Sequence, residues 1–173
     1  VKLAAWREPH GREGGEVNVS SEVFAEASAN VGAVVMGRNM FGPVRGPWTE
    51  PQWNGWWGDE PPFGVPVFVL THHAREPLAL GETTFHFVTE GAQRAVELAR
   101  EAAGGGDVSV GGGAETIQQC LRAGLLDELL LNQVPVLLGD GCRLLEDVGG
   151  IELEQTRVVE APGVAHLFYA VRG

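Results

Sequence analysis

Short apolar runs bounded by glycine, proline or polar residues predict the strands of this chain. Residues 31–36, 65–70 and 85–89 are rich in β-branched and aromatic side chains and are too short for helices. Residues 107–110 lie between a helical pattern and a glycine triplet and predict a fourth strand. Because continuous apolar runs of this length are typical of strands covered on both faces, we expect a mainly parallel central sheet.

Before and between these strands, apolar residues recur at the spacing of a helix. Residues 91–103 and 114–123 each carry one apolar face. Residues 21–30 form a shorter helical pattern that Ser20 or Ser21 is expected to cap. Strands that alternate with helices predict a three-layer α/β fold.

The last third of the chain is predicted to contain strands alone. An apolar stretch at 125–138 contains a strand at 129–138. Residues 151–159 and 164–171 are joined across Ala161-Pro162-Gly163, which is turn chemistry, so we expect an antiparallel hairpin that adds an edge to the central sheet. Seven strands are predicted in all, and 173 residues fit one domain.

Residues 48–62 have no periodic pattern and predict one long loop. Its tryptophans suit an aromatic wall for a flat heterocycle, since indole faces stack well. They suit equally the packing of a long loop or of a subunit interface. The four residues concerned are Trp48, Trp53, Trp56 and Trp57, of which the last three are our candidates for a substrate pocket.

Composition and charge narrow the classes of function. Hydrophobic residues make up 44% and charged residues 20% of the chain, a mix typical of a globular protein. Twelve Lys and Arg against 23 Asp and Glu give a net charge of −11, which disfavours non-specific attraction to nucleic acid or anionic lipid. We therefore expect neither as a partner, and an anionic ligand must be held by a local group of donors.

The two cysteines, Cys120 and Cys142, lie far apart without Cys-x-x-Cys spacing. They predict neither a disulfide framework nor a zinc site, and the histidines lack metal-binding spacing, so we expect no metal. No apolar run approaches about 18 residues, and the N-terminus lacks the pattern of a signal peptide. We expect a cytoplasmic protein.

The loops after the predicted strands are the places to search for a site, because ligands of parallel sheets bind outside the carboxyl ends. Gly111-Gly112-Gly113 lets the backbone approach an anion at the start of a helix. Arg38 follows the first strand and can bind a phosphate with two nitrogens. Each loop alone is also compatible with a turn that binds nothing. Together with Thr71, His72, His73 and Arg75 after the next strand, they predict a polyanionic small molecule such as a dinucleotide.

Four motifs occur in a characteristic order. They are Met-Gly-Arg-Asn-Met-Phe (36–41), Val-Leu-Thr-His (69–72), Val-Gly-Gly-Gly-Ala-Glu-Thr-Ile (110–117), and Ala-Gly-Leu-Leu-Asp-Glu-Leu followed by Pro-Val-Leu-Leu-Gly-Asp-Gly (123–129, 135–141). From about residue 20 to the end the chain resembles the dihydrofolate reductase-like superfamily, specifically the reductase domain of the riboflavin-biosynthesis (RibD-type) deaminase/reductase and its stand-alone relatives. The resemblance implies a dihydrofolate reductase-like fold, NADPH as the cofactor, a small-molecule substrate and a homodimer.

The resemblance also implies roles for individual residues. Arg38 would meet the adenosine 2′-phosphate, while Thr71 and His72 would contact the adenosine end. The family's cis peptide bond would fall at Gly111-Gly112. The pyrophosphate would lie along Gly37, Asn39 and Met40 and along Gly111, Gly112, Gly113, Ala114, Glu115 and Thr116.

Two features of the family have no clear match. The family begins with a strand and a loop that carries Ser-Leu-Asp-Gly or a relative, and Val1–Leu3 is too short to supply it. Because seven strands are predicted where the family has eight, we expect this N-terminal strand to be missing from the sequence, the alternative being a degenerate protein that lacks it. The acid that hydrogen-bonds the pterin in true dihydrofolate reductases would fall near Ser21 and Glu22. Glu22 is therefore the catalytic candidate, and its alternative role is a favourable interaction with a helix dipole.

Three hypotheses about function follow. The first is an NADPH-dependent reductase that transfers hydride to a small pterin-like, pyrimidine-like or related carbonyl substrate. The second is a non-catalytic nucleotide-binding or dimerisation module with the same fold. The third is strict dihydrofolate reductase activity, which the absent acid pattern disfavours.

Overall fold

A computed structural model of the chain describes residues 17–49 and 53–172. The expectation that an N-terminal strand is missing concerns residues outside these ranges and stays a prediction. In chain order the elements are α1 (Val19–Ser28), β1 (Val31–Gly37), α2 (Arg38–Phe41), β2 (Val67–Leu70), β3 (Leu78–Leu80), β4 (Thr83–Val88), α3 (Ala92–Ala102), β5 (Asp107–Val110), α4 (Ala114–Arg122), β6 (Glu128–Gln133), β7 (Glu152–Ala161) and β8 (Val164–Arg172).

The described residues divide into two compact units, each made from several stretches of chain. The first unit comprises residues 17–29, 126–142 and 149–172, and contains α1 and β6 to β8. The second comprises residues 30–49, 53–125 and 143–148, and contains the other strands and helices.

The second unit is built on a five-stranded sheet in the order β3-β4-β2-β1-β5. β1 pairs in parallel with both β2 and β5, and β2 pairs in parallel with β4, which confirms the predicted mainly parallel sheet. β3 is antiparallel to β4 and was not predicted, because three residues, Leu-Ala-Leu, carry too little periodic signal. From β1 the chain builds β2 and β4 on one side and β5 on the other, so the strand order reverses between β1 and β5.

Alternate residues of the sheet in the second unit point to opposite faces. On one face, Val34 and Met36 of β1 join a core of buried residues with Phe41 and Phe85, and the tryptophans at 48 and 57 pack against it. Ala33 and Val35 point to the other face, where α3 packs on β1 and β2. Residues 48–49 and 53–62 contain no helix or strand, as predicted for this part of the long loop.

The first unit contains a separate antiparallel sheet in the order β6-β8-β7. The predicted hairpin of β7 and β8 is confirmed, but the expectation that it adds an edge to the central sheet is wrong. The other edge of β8 is already satisfied by β6, through a register that runs from Glu128↔Ala170 to Gln133↔Ala165. β6 also ends five residues earlier than predicted, since Pro135 lacks an N–H and restricts the residue before it.

Asn18, rather than Ser20 or Ser21, caps helix α1. The Asn18 side chain accepts a hydrogen bond from the backbone N–H of Ser20 at 2.9 Å, and the Ser21 hydroxyl accepts one from the N–H of Asn18 at 3.2 Å. This reciprocal capping box starts the helix at Val19.

Ser20 is thereby directed into a buried polar cluster of the first unit. Its hydroxyl lies 2.8 Å from His166 Nε2, and His166 Nδ1 lies 2.6 Å from Asn132 Oδ1. His166 is fully buried, and Phe24 packs edge-on against its ring. The cluster ties α1, β6 and β8 together through side chains that are distant in sequence.

Candidate functional site

Backbone hydrogen bonds join the ends of β1 and β5 in the second unit. The N–H of Gly37 donates to the carbonyl of Gly112 at 2.7 Å, and the N–H of Gly111 donates to the carbonyl of Val35 at 2.8 Å. These bonds fix the glycine turn against the strand that delivers Arg38. The strand order reverses here, and ligands of open parallel sheets commonly bind outside the carboxyl ends at such a position.

The two sides of this junction differ in the space around their glycines. A Cβ at Gly37 would lie 2.5 Å from Thr116 Oγ1, so the close approach of α4 to β1 requires glycine there. At Gly112, where φ is 97°, and at Gly113, a Cβ would meet no atom within 4 Å. Gly112 is buried and Gly113 is half-buried, so the turn leaves unfilled space beside its backbone at the start of α4, which suits the close approach of an anion.

A cis peptide bond lies between Gly112 and Gly113. The resemblance implied a position one residue earlier, between Gly111 and Gly112, and this expectation is wrong. The three residues of the triplet are chemically identical, so the sequence does not distinguish the two positions.

Arg38 begins α2 directly after β1, and several groups hold its guanidinium. Nε donates to the carbonyl of Val44 at 3.1 Å, and Nη1 donates to Thr71 Oγ1 at 3.3 Å. Cζ lies 3.6 Å from the ring centroid of Trp48, a cation–π contact. Nη2 is buried and has no hydrogen-bond partner among the described residues. Burial also lowers the pKa of Arg38, since desolvation disfavours the charged form.

Thr71 connects the loop after β2 to the loop after β1. Its backbone N–H donates to the carbonyl of Val88 at 3.0 Å, and its hydroxyl, which accepts from Arg38, lies 3.2 Å from the N–H of His73. Thr71 is buried, whereas His72 is exposed. The structure thus joins the predicted residues after β1, β2 and β5 at one edge of the sheet.

Arg75 brings a second guanidinium to the same edge. It donates to the carbonyl of Trp53 at 2.7 Å and to Asn54 Oδ1 at 2.9 Å. Its Cζ lies 4.9 Å from the ring centroids of both Trp48 and Phe87. In a chain with a net charge of −11, two arginines around one indole concentrate positive charge at this edge.

The other candidates of the second unit are placed as follows. Asn39, Met40 and Glu115 are exposed, Ala114 is half-buried and Thr116 is buried. Their contacts with a coenzyme stay predictions.

The tryptophans named as pocket candidates fall into two groups. Trp53 and Trp56 are exposed and pack edge-on against each other, with ring centroids 5.2 Å apart. Trp57 instead stacks on Phe85 and packs edge-on against Phe63. The packing interpretation therefore describes Trp57, and a role in a substrate pocket stays a prediction for all three.

Glu22 belongs to the first unit, where it is exposed in the first turn of α1. That position is favourable to the helix dipole, which was its alternative role. A catalytic role stays a prediction.

Sequence reasoning missed two residues that support Arg38. Val44 supplies an acceptor through its backbone carbonyl, which no side-chain pattern can reveal. The sequence pattern places Trp48 among the tryptophans of the long loop, whereas in the structure its ring lies against Arg38. Only the folded path of the chain between residues 38 and 48 brings the two together.

The arrangement fits a phosphorylated dinucleotide. A buried guanidinium nitrogen without an acceptor is destabilising by roughly 1–3 kcal/mol until an acceptor is supplied, and a phosphate oxygen would supply one. The unfilled space beside Gly112 and Gly113 suits a second anionic group. Within residues 17–49 and 53–172, no group of three His, Cys, Asp or Glu side chains could hold a metal ion. None of the helices described is both long enough and apolar enough to cross a membrane.

The chain belongs to the RibD C-terminal domain family, whose sequence model matches residues 5–166. Members of this family are reductases. No curated protein matches the chain.

Solved structures share the fold at low sequence identity. A protein assigned to riboflavin biosynthesis from Shewanella sp. PV-4 is 21% identical, with a TM-score of 0.64 over 94% of this chain and 84% of that one. A pyrimidine reductase-like protein from Corynebacterium diphtheriae is 14% identical, with a TM-score of 0.58 over 100% and 96%. The riboflavin biosynthesis reductase Rib7 of Saccharomyces cerevisiae is 13% identical, with a TM-score of 0.57 over 90% and 82%. These similarities confirm the predicted fold class.

Proposed function

We propose that this protein is a reductase that uses NADPH to reduce a small pyrimidine-like heterocycle. The observation that carries the proposal is the joining of three strand-end loops, through the hydrogen bonds from Gly37 to Gly112 and from Arg38 to Thr71. Membership of a reductase family supports it. So do the names of two structural relatives, a pyrimidine reductase-like protein and a riboflavin biosynthesis reductase.

In this proposal, different residues of the second unit bind different parts of the coenzyme. The pyrophosphate lies in the unfilled space beside Gly112 and Gly113 and at the N-terminus of α4, where free N–H groups favour an anion. The 2′-phosphate is bound by Arg38, whose Nη2 has no acceptor within residues 17–49 and 53–172. The remaining coenzyme contacts are proposed for Gly37, Asn39, Met40, Thr71, His72, Gly111, Ala114, Glu115 and Thr116.

NADPH, when bound, supplies the hydride. The chain's own task is to hold the coenzyme in one orientation and to keep water from the reacting atoms, since a fixed geometry removes much of the entropic barrier. Trp53, Trp56 and Trp57 are proposed for the substrate side. Water is proposed as the proton source, and Glu22 stays a catalytic candidate without an assigned step.

Coenzyme binding tests the role of Arg38. We expect the Arg38→Ala variant to bind NADPH about 5- to 150-fold more weakly, equivalent to about 1–3 kcal/mol, because a charge-assisted hydrogen bond to phosphate is lost. Its affinity for NADH, which lacks the 2′-phosphate, should be unchanged. Isothermal titration calorimetry with both coenzymes measures this.

Arg100→Ala is the matched control, since Arg100 is an exposed arginine in the last turn of α3. The Arg100→Ala variant should bind NADPH and NADH with unchanged affinities. An equal loss for NADPH and NADH in the Arg38 variant, or no loss, contradicts the role proposed for Arg38.

Turnover separates the reductase from its alternatives. We expect oxidation of NADPH with at least one ribosylaminopyrimidine in a panel that also holds dihydrofolate and simple carbonyl compounds. Oxidation with dihydrofolate alone would indicate strict dihydrofolate reductase activity. Tight NADPH binding without turnover across the panel would favour a non-catalytic nucleotide-binding module.

We also propose that the protein acts in the cytoplasm as a homodimer, on the strength of the family resemblance. Leu137 and Leu138, in the segment after β6, are exposed. Exposed apolar side chains of this kind are commonly covered at subunit interfaces.

A further inference from the structure

Trp48 contacts the guanidinium groups of two arginines at the candidate site. The Arg38 Cζ lies 3.6 Å from the centroid of the indole, and the Arg75 Cζ lies 4.9 Å from it. Trp48 is half-buried, so its contacts with these cations are only partly exposed to water. Cation–π attraction is stronger where the cation is desolvated, and Arg38 is the more closely held of the two.

The indole is itself fixed in place. Trp48 Nε1 donates to the backbone carbonyl of His73 at 2.9 Å, in the loop after β2. Its ring packs edge-on against Phe41 and Phe87, with centroid distances of 6.1 and 5.1 Å. Phe41 is fully buried, so the support under the ring belongs to the core of the second unit.

A fixed ring beside a guanidinium changes what the guanidinium can do. A free arginine side chain populates many rotamers, and ordering them opposes ligand binding. The ring centroid of Trp48 lies 3.6 Å from Cζ of Arg38, while Nε donates to Val44 and one N–H of Nη1 donates to Thr71. Nη2 has no hydrogen-bond partner among the described residues, and it is the nitrogen that we assign to an external acceptor.

We propose that Trp48 is a positioning residue for coenzyme selection. By holding the Arg38 guanidinium in one orientation, it gives the site its preference for a nicotinamide coenzyme that carries a 2′-phosphate. This inference rests on the proposed function and deepens it, because it assigns the selection between NADPH and NADH to an indole that need not touch the coenzyme.

Aromatic packing on this core cluster can be varied without touching Arg38, because Phe63 packs on the same cluster and, among the described residues, has no cation–π contact with Arg38. Phe63 packs against Trp57 and Phe85, with centroid distances of 4.8 and 6.1 Å. A loss of aromatic packing can therefore be separated from a loss of support for the arginine. Phe63→Leu provides the matched control.

The experiment compares Trp48→Leu, Trp48→Phe and Phe63→Leu with the unmodified chain, by calorimetric titration of NADPH and NADH and by thermal unfolding. We expect Trp48→Leu to lower the preference for NADPH roughly 5- to 30-fold, with NADH affinity within about twofold of the unmodified chain. Trp48→Phe should give an intermediate preference, since it keeps a ring but loses the bond to His73. Phe63→Leu should lower the unfolding temperature and leave the preference unchanged.

The outcomes separate this inference from the proposed function. If the unmodified chain does not prefer NADPH and Arg38→Ala changes nothing, the proposed function fails and this inference fails with it. If Arg38→Ala abolishes the preference but Trp48→Leu retains it, only the role of Trp48 is overturned. Should Trp48→Leu not fold, Trp48→Phe decides: a preference reduced by about twofold or more supports the inference, and an unchanged preference overturns it.

Discussion

Two buried polar side chains, one in each unit, differ in how completely their neighbours satisfy them. Both ring nitrogens of His166 lie within hydrogen-bond distance of side-chain oxygens, those of Ser20 and Asn132. Arg38, in contrast, has one buried nitrogen without a partner among the described residues. Complete satisfaction is typical of a cluster that specifies structure, whereas an incomplete set supports the ligand role proposed for Arg38.

The partners of His166 also define its hydrogen-bond roles. The Asn132 Oδ1 atom is an acceptor only, so His166 Nδ1 carries the proton and donates. Nε2 is then free to accept from the Ser20 hydroxyl. A single tautomer, with the proton on Nδ1, meets both requirements.

The largest expected effect comes from removing His166. We expect His166→Leu to lower the free energy of unfolding by about 2–4 kcal/mol, because the Ser20 hydroxyl and the Asn132 amide lose their partner. Urea denaturation followed by circular dichroism measures this. The comparison predicts a smaller loss, below about 1 kcal/mol, for Arg38→Met, since that variant also removes the unpartnered nitrogen.

Equal losses of stability in these two variants would break the comparison. Ser20→Ala serves as a further control, since it removes one bond of the cluster and keeps the imidazole. Its free energy of unfolding should lie between those of the unmodified chain and of His166→Leu.

A smaller effect is expected at the junction of β1 and β5. In Gly37→Ala the new methyl group would overlap Thr116 Oγ1, so we expect the unfolding free energy to fall by about 1–3 kcal/mol. Gly111→Ala, whose Cβ would meet atoms only at 3.9 Å, should be close to neutral. Chemical denaturation of both variants measures the difference.

A double variant shows whether the overlap is the cause. Adding Thr116→Ala to Gly37→Ala removes the obstructing hydroxyl and should restore part of the lost stability. If the losses of unfolding free energy in the two single variants simply add in the double variant, Gly37 is required for another reason.

The smallest effect concerns the thiols. Burial raises the pKa of Cys120, and Cys142 is exposed, so a maleimide should label Cys142 first. At NADPH concentrations of about ten times Kd, labelling of Cys120 should slow roughly tenfold, because binding suppresses the opening of the second unit. Mass spectrometry after timed quenching gives both rates. In Arg38→Ala the same NADPH concentration should protect Cys120 less, and equal protection would count against the site.

Much of the second unit could be predicted from the sequence, because its strands are short apolar runs and its loops carry distinct residue types. The strand at 107–110 was predicted at its observed bounds, and Arg38 was placed at a strand end. β3 could not be predicted, since three residues are too few to show alternation. The assignment of β8 to a second sheet depends on pairing with β6, which strand patterns alone do not reveal.

The interactions that define the buried polar clusters were also beyond prediction. Ser20 and His166 lie at opposite ends of the chain, and nothing in their local sequence indicates a hydrogen bond. The support of Arg38 by Trp48 likewise depends on the path of an irregular segment. Local pattern specifies elements well, whereas contacts between distant side chains require the tertiary fold.

The hydrogen bond from Gly37 to Gly112 joins residues from the early and late parts of the second unit. Contacts between such distant positions form only after the intervening chain has collapsed, and they slow folding. During synthesis, a growing chain whose α4 has not yet left the ribosome would lack half of the proposed anion site, namely the start of that helix. Affinity for the dinucleotide should therefore arise late in biogenesis, and capture on an immobilised nucleotide would separate finished molecules from incomplete ones.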